Sequence, residues 1–159
     1  MESRQLTPQQ ALQKLKHYCA YQERCHSEVK DKLYNYGLHT KDVEQIISTL
    51  IEENYLDEER FAIHFAGGKF RMKKWGRIKI RYELKKRLVS EFCIKKAIQT
   101  LDEDQYESAI EKLVESKMKD AKKYKQAHLK MRFILSSLNQ KGYEPDLVRP
   151  IANKYLSAK

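Results

Sequence analysis

With 159 residues, a net charge of +10 and 34% charged side chains, the chain is long enough to bury a core but is polar for a globular protein. Apolar residues make up 41% of it and recur periodically, which excludes a disordered tail. No apolar run approaches the length of a membrane span, and Met1–Gln10 lacks the hydrophobic segment of a secretory signal, so we expect a cytoplasmic protein with no membrane partner.

The first third of the chain predicts three helices. Thr7 is suited to cap the first helix and Pro8 to occupy its first turn. The second helix is expected to begin near Ser27 and to end at Gly37, because glycine readily adopts the left-handed conformation that closes a helix. The third is expected to begin at about Thr40. The residues predicted to face the core are Ala11, Leu12, Leu15, Tyr18, Val29, Leu33, Val43, Ile46, Ile47 and Leu50.

The same layout returns twice along the chain. At a constant spacing, Leu33, Leu38, Val43 and Ile47 align with Leu84, Val89, Ile94 and Ile98, and the pair Leu33 and Gly37 aligns with Leu138 and Gly142. We therefore predict an all-α fold, an elongated tandem array of three three-helix repeats over residues 6–56, 57–103 and 104–159. Such short repeats must stack to bury a core. The alternative is three unrelated helical hairpins that share only the helical period.

The helix predicted from about residue 57 has apolar side chains on two sides. Phe61, Phe65 and Met72 lie on one face of a helical projection, and Ile63 and Phe70 lie nearly opposite. Both faces are therefore predicted to be buried by packing rather than to line a ligand pocket.

Two glycines, Gly67 and Gly68, interrupt this predicted helix. Glycine is unfavourable in a helix interior unless another part of the chain approaches closely or the helix bends. We therefore expect a close contact or a hinge at this point.

The whole net charge lies in the window Lys69–Lys96, where twelve Lys and Arg face only Glu83 and Glu91. The remainder of the chain has twenty basic and twenty acidic residues, the difference between these numbers and the totals of 32 and 22. Charge concentrated in this way attracts and holds a polyanion. We therefore predict a partner rich in phosphate or carboxylate groups.

Within this window, a basic helix is predicted from residue 77 to about residue 88. Ile80, Leu84 and Leu88 form its buried stripe, and cations with a tyrosine cover the opposite arc. Aromatic rings among cations can stack on a base or on an Arg plane. The alternative is a helix face that is merely solvated, but the scarcity of acids favours binding. The candidate binding residues are Arg71, Lys73, Lys74, Trp75, Arg77, Lys79, Arg81, Tyr82, Lys85 and Lys86.

The sequence gives little support for a metal site or for disulfide bonds. His17, Cys19, Cys25 and His26 carry donor atoms that bind zinc, but their spacing is not that of a zinc finger and no Cys-x-x-Cys pair occurs. The odd number of cysteines in a chain without a signal predicts reduced thiols, and Cys93 is expected to be a small buried side chain.

The sequence also carries no pattern of a catalytic site. It has no glycine-rich phosphate loop, no nucleophile elbow and no carboxylate cluster with a base nearby. Asp57, Glu58 and Glu59 are explained by the attraction of acids to the positive end of a helix dipole. We therefore predict a protein that is not an enzyme and needs no cofactor or metal.

Several segments together carry a family resemblance. They are the string Tyr55–Ala62, the helix Arg24–Leu33, the motif Trp75-Gly76-Arg77-Ile78 followed by Glu83-Leu84, and Lys141-Gly142-Tyr143. In combination they resemble the RecX family of recombinase regulators. One departure lies at Leu88, where the family commonly has a glycine that ends the helix.

The resemblance implies an elongated regulator that lies in the groove of the RecA filament on DNA. Members inhibit or moderate strand exchange and the ATP hydrolysis of the filament. The partners implied are therefore the RecA filament and single- or double-stranded DNA, and we expect the chain to be a monomer. The signature Tyr55–Ala62 is expected to be architectural, with Phe61 packed, Asp57 as a cap and Arg60 paired with an acid.

Two other functions fit the same sequence. A basic helix within a three-helix unit superficially resembles a helix-turn-helix module, so a sequence-reading DNA-binding protein is one alternative. A helical solenoid that binds an acidic protein surface, with no role for nucleic acid, is the other.

Overall fold

The computed structural model describes residues 5–157. Residues 1–4 and 158–159, which include the start of the N-terminal segment and the end of the third predicted repeat, lie outside the described residues. All regular structure in residues 5–157 is helical, so the predicted all-α fold of repeated three-helix units is confirmed. The helices are α1 Pro8–Tyr21, α2 His26–Asn35, α3 Thr40–Glu52, α4 Glu58–Gly68, α5 Arg77–Lys86, α6 Glu91–Gln99, α7 Glu103–Asp120, α8 Ala127–Lys141 and α9 Pro145–Ser157. None of these helices is long and apolar enough to cross a membrane.

By packing, the chain forms two compact units. The first contains the chain up to Phe65 together with Leu84–Ala97, and the second contains Ala66–Glu83 together with the chain from Ile98 onward. The predicted repeat boundaries, near residues 57 and 104, stay a prediction.

The helix ends of the first unit follow the expected chemistry. The Thr7 hydroxyl accepts a hydrogen bond from the Gln10 backbone N–H at 3.2 Å, and the Gln10 side chain accepts one from the Thr7 N–H at 3.0 Å. After α2, Gly37 has φ +82°, the left-handed conformation that was predicted. Helix α2 begins at His26, one residue before the predicted start at Ser27, because Cys25 occupies its N-cap position.

The predicted core of the first unit is confirmed. Seven of its positions are at most 4% exposed, and Leu12, Tyr18 and Ile47 pack against them while partly exposed. The seven are Ala11, Leu15, Val29, Leu33, Val43, Ile46 and Leu50.

The signature Tyr55–Ala62 has the architectural role expected of it. Phe61 is 5% exposed. Asp57 accepts a hydrogen bond from the Arg60 backbone N–H at 2.9 Å, which caps the start of α4. The Arg60 Nε lies 2.6 Å from Glu23 Oε1, so the expected ion pair is present.

The prediction that Met72 is buried is wrong, because its side chain is 82% exposed. Helix α4 ends at Gly68, and the next five residues, Lys69–Lys73, form a π-helical stretch. A π-helix has more residues per turn than an α-helix, so a projection at 100° per residue misplaces the side chains beyond Gly68. Phe65 and Phe70, predicted on the two faces, are buried.

The prediction that Leu88 belongs to a buried stripe is also wrong. Helix α5 ends at Lys86, and Leu88 takes the left-handed position after it with φ +63° and 77% exposure. Ile80 and Leu84, the other two residues of the stripe, are fully buried as predicted.

The close contact expected at Gly67 and Gly68 is only partly found. A Cβ added at Gly67 would meet the flexible end of the Arg71 side chain, and one added at Gly68 would meet no described atom within 4 Å. The helical backbone runs on through both residues into the π-helical stretch, and the hinge stays a prediction. The close approach occurs instead at Gly76, in the second unit.

Candidate nucleic-acid interface

The candidate interface is built on residues Lys69–Tyr82 of the second unit, here called the basic segment. It consists of the π-helical stretch Lys69–Lys73, a turn, and the first part of α5. At the turn, Lys74 has φ +61°, a left-handed conformation that is uncommon for a residue with a side chain. The Tyr143 hydroxyl donates a hydrogen bond to the Lys74 carbonyl at 2.9 Å. This hydrogen bond holds the turn in its unfavourable conformation.

The start of α5 is fixed by backbone contact with the chain after α8. The Gly76 N–H donates to the Lys141 carbonyl at 2.7 Å, and the Ile78 N–H donates to the Gly142 carbonyl at 2.9 Å. A Cβ added at Gly76 would clash with the Gly142 carbonyl group, which is backbone and cannot turn aside. Two of the segments that carry the family resemblance, 75–78 and 141–143, therefore pack directly on each other.

Arg77 belongs to a polar network within the second unit, in which the Arg77 side chain is 18% exposed and that of its partner Glu103 is 84% exposed. Its guanidinium lies 2.9 Å from Glu144 and 2.9 Å from Glu103, and 3.9 Å from the centre of the Tyr106 ring. The Tyr106 hydroxyl accepts from the Arg77 backbone N–H at 3.0 Å and donates to Glu144. We call Arg77, Glu103, Tyr106 and Glu144 the Arg77 network.

Two members of this network, Tyr106 and Arg77, have raised pKa values. Burial raises the pKa of the Tyr106 hydroxyl well above its ordinary value. The hydroxyl therefore stays protonated and donates a hydrogen bond to Glu144. Burial lowers the pKa of Arg77, but hydrogen bonds with Glu144 and Glu103 outweigh this and raise the pKa overall. The charge of Arg77 is therefore balanced within the protein by Glu103 and Glu144, and its role as an anion contact stays a prediction.

The cations on the π-helical stretch and its turn have the opposite surroundings. Arg71, Lys73 and Lys74 are exposed, and no acidic side chain in residues 5–157 lies within ion-pair distance of them. Met72, between them, is exposed as well. This stretch therefore presents three cations and one apolar side chain to solvent.

Besides the buried Phe70, the basic segment contains two aromatic side chains, Trp75 and Tyr82, which differ in accessibility. Trp75 is partly buried, with Lys69 Nζ 5.1 Å and Lys79 Nζ 4.7 Å from its ring centre. Its faces are therefore approached by cations of the protein itself. Tyr82 is 64% exposed, so its ring is the more accessible stacking surface.

A groove of about 440 Å³ lies beside the basic segment, and the sequence did not predict it. Its lining includes the apolar side chains of Phe70 and Leu113. Arg71, Lys74 and Lys112 supply three cations around it, against one carboxylate, Asp104. The groove thus joins an apolar surface to positive charge, which suits an anionic ligand with a flat or apolar part. The sequence does not predict the groove because one side of it is formed by α7, which begins about thirty residues further along the chain.

The remaining candidates lie further along α5. Lys79 and Arg81 are half-buried. Lys85 and Lys86 are exposed and belong to the first unit, where Lys85 Nζ lies 3.7 Å from Glu91. An exposed ion pair of this length contributes little stability, so Lys85 is still available to a partner.

The cysteines have surroundings that suppress thiol chemistry. Burial raises the pKa of Cys19 to about 11 and also raises the pKa values of Cys25 and Cys93. All three are buried and unpaired. In the described part of the chain, no three His, Cys, Asp or Glu side chains converge on one point as a metal site requires.

Comparison with known proteins bears on this geometry. Residues 57–98 match the family model of the RecX second three-helix domain. The chain is 32% identical over 134 residues to the regulatory protein RecX of Clostridium tetani and 33% identical over 133 residues to that of Clostridium perfringens. The resemblance to the RecX family is confirmed. These alignments cover 81% and 80% of the chain but 59% of each relative, so the chain spans about three fifths of the length of these two curated RecX proteins.

Solved RecX structures have the same fold. The crystal structure of RecX from Lactobacillus salivarius superposes with a TM-score of 0.84 at 21% identity, covering 96% of this chain and 97% of that one. A second crystal structure of regulatory protein RecX gives a TM-score of 0.82 at 18% identity, covering 92% of this chain and 71% of that one. At these identities, the likeness establishes the fold of the chain.

Proposed function

We propose that this protein regulates homologous recombination by binding the groove of the RecA filament on DNA and moderating its ATP hydrolysis and strand exchange. The similarity to RecX regulatory proteins supports a regulatory role, and the basic segment supplies the contact with DNA. The observation that carries the proposal is the exposure of Arg71, Lys73 and Lys74 without acidic partners. Cations in this state release counterions and gain the most when they meet phosphate groups.

The proposed contact surface omits one predicted residue, Arg77, and adds the groove beside Phe70. Arg77 is left out because Glu103 and Glu144 already neutralise it. Tyr82 is kept as a stacking residue, and Lys85 and Lys86 are kept as further cations of α5. The groove beside Phe70 lies next to Arg71 and Lys74, so it is suited to receive a base or sugar of a strand whose phosphates those cations bind.

The proposal is tested by adding the protein in substoichiometric amounts to RecA filaments on single-stranded DNA and measuring ATP hydrolysis. We expect wild-type protein to inhibit hydrolysis. The triple variant Arg71→Ala, Lys73→Ala, Lys74→Ala should inhibit much less while keeping its helical content. Absence of inhibition by the wild type would overturn the proposed function. Equal inhibition by wild type and variant would remove the basic segment from the contact.

A salt titration of binding to DNA alone isolates the phosphate contacts. Loss of three of them should lower the slope of log affinity against log salt by about 2 to 3. The matched control removes three exposed lysines that lie outside the basic segment: Lys14→Ala, Lys41→Ala, Lys154→Ala. A control with the same loss of slope would indicate that net charge, not this surface, binds DNA. A strong preference for one duplex sequence would instead favour a sequence-reading protein.

A further inference from the structure

Leu88 combines two properties that do not stabilise the fold. Its φ of +63° is unfavourable for a residue with a side chain, and its large apolar side chain is 77% exposed. The same turn position after α2 and α8 holds Gly37 and Gly142, with φ of +82° and +95°. A glycine at position 88 would relieve the backbone strain and remove the exposed apolar surface. Stability therefore does not explain the leucine.

The Leu88 side chain lines a groove of about 480 Å³ in the first unit. Ile47, half-buried, and Ile51, 45% exposed, supply the other apolar side chains of the groove from α3. His26 also lines the groove, and its Nε2 atom is buried without a hydrogen-bond partner among the described residues. An unpaired buried polar atom is a second local cost at the same place.

The charged side chains around this groove are mainly acidic. Asp31 and Glu44 are exposed, and no ion pair to either occurs in residues 5–157. Glu58 adds a third carboxylate, against one cation, Lys30. The groove therefore has the opposite sign to the basic segment, so it does not suit DNA.

We infer that this groove, here called the Leu88 groove, binds a segment of a protein partner that carries an exposed apolar side chain flanked by Lys or Arg. The apolar side chain packs on Leu88, Ile47 and Ile51, and the flanking cations pair with Asp31 and Glu44. This inference rests on the proposed function, which makes a recombinase subunit of the filament the partner. The basic segment then contacts nucleic acid, and the Leu88 groove contacts protein.

The test compares Leu88→Gly with the wild type in binding to RecA filaments on single-stranded DNA, assembled with a non-hydrolysable ATP analogue. We expect filament binding to weaken about tenfold or more, since truncating a central apolar anchor commonly has an effect of this size. Binding to the same DNA without RecA should stay unchanged. The melting temperature of the variant should be equal to or above that of the wild type, which separates a lost contact from a lost fold.

Charge reversal tests the chemistry of the occupant. The double variant Asp31→Lys, Glu44→Lys should also weaken filament binding, whereas stronger binding would show that the occupant is acidic and overturn the inference. Tyr21→Ser serves as the control, because it removes a ring at the end of α1 that is about as exposed as the Leu88 side chain. Filament binding of this variant should equal that of the wild type.

Three outcomes are separable. If the wild type does not bind the filament, the proposed function fails and the inference fails with it. If the wild type binds and Leu88→Gly binds equally well, only the inference fails. If sedimentation shows self-association of the wild type that Leu88→Gly abolishes, the groove binds a second copy of the chain and the inference is overturned.

Discussion

Arg77 and the exposed stretch Arg71–Lys74 are close neighbours in the sequence, but their cations have opposite surroundings. The Arg77 guanidinium is packed on a tyrosine ring and bound by two carboxylates. The cations of the stretch are exposed, and no acidic side chain in residues 5–157 pairs with them. The first arrangement stabilises the position of α5, and the second leaves charge available to a partner.

A basic window in a sequence can therefore contain cations in two different structural surroundings. The contacts of Arg77 stabilise the position of α5, whereas the neighbouring cations Arg71, Lys73 and Lys74 are exposed to a partner. Substitutions in the network should therefore change stability, and substitutions in the exposed stretch should change binding. Each of the following experiments asks whether the two effects separate in this way.

The largest effect is expected from Gly76→Ala. Its new methyl group would meet the Gly142 backbone, which cannot move aside as a flexible side chain can. We expect the free energy of unfolding to fall by about 3 kcal/mol, measured by urea denaturation.

Gly68→Ala is the matched control for that experiment. It lies eight residues earlier, in a helix, with no described atom within 4 Å of an added Cβ. Alanine there should raise the free energy of unfolding by roughly 0.5 to 1 kcal/mol. Similar losses in both variants would contradict the assignment of the close contact to Gly76.

A smaller loss is expected from Arg77→Lys, which keeps the charge but not the forked geometry that reaches Glu103 and Glu144 together. We expect the free energy of unfolding to fall by about 2 kcal/mol. Lys73→Arg, a change of the same kind in the exposed stretch, should alter it by less than about 0.5 kcal/mol. If Arg77→Lys were instead neutral for stability and lowered DNA affinity, the two regions would not differ as described.

The smallest effect is expected from Tyr143→Phe, which removes the hydrogen bond to the Lys74 carbonyl and should cost about 1 kcal/mol at neutral pH. Burial raises the pKa of Tyr143 from 10.0 to about 12. The unfolded chain therefore releases this proton at lower pH than the folded chain does, so stability falls as the pH rises from 10 to 12.

The pH dependence of the free energy of unfolding tests the role of Tyr143 separately. The fall in the free energy of unfolding between pH 10 and 12 should be shallower for Tyr143→Phe than for the wild type. An identical fall in both proteins would show that Tyr143 is not the group that titrates.

Most of the fold could be predicted from the sequence because its signals are local. The cap at Thr7, the left-handed Gly37 and the apolar period of the first three helices each depend on residues within a few positions of one another. The errors at Met72 and Leu88 share one cause. A projection at a fixed angle fails where a π-helical stretch or a helix end changes the backbone, and neither leaves a clear local pattern in the sequence.

The candidate site could be predicted only in part, for a different reason. Counting charges located the basic segment, but it could not distinguish Arg77 from Lys74, because the partners of Arg77 come from α7 and from the residue before α9. Long-range partners leave no local signal. The glycines in the motifs at 75–78 and 141–143 were the available hint, since both permit close backbone approach.

The hydrogen bond between Tyr143 and Lys74 joins residues 69 positions apart, so it has a kinetic consequence for the newly made chain. During translation, this hydrogen bond cannot hold the turn at Lys74 until the residues up to Tyr143 have been made. The nascent basic segment is therefore exposed before it has its final geometry, and the proposed DNA-binding surface forms only after Tyr143 has left the ribosome.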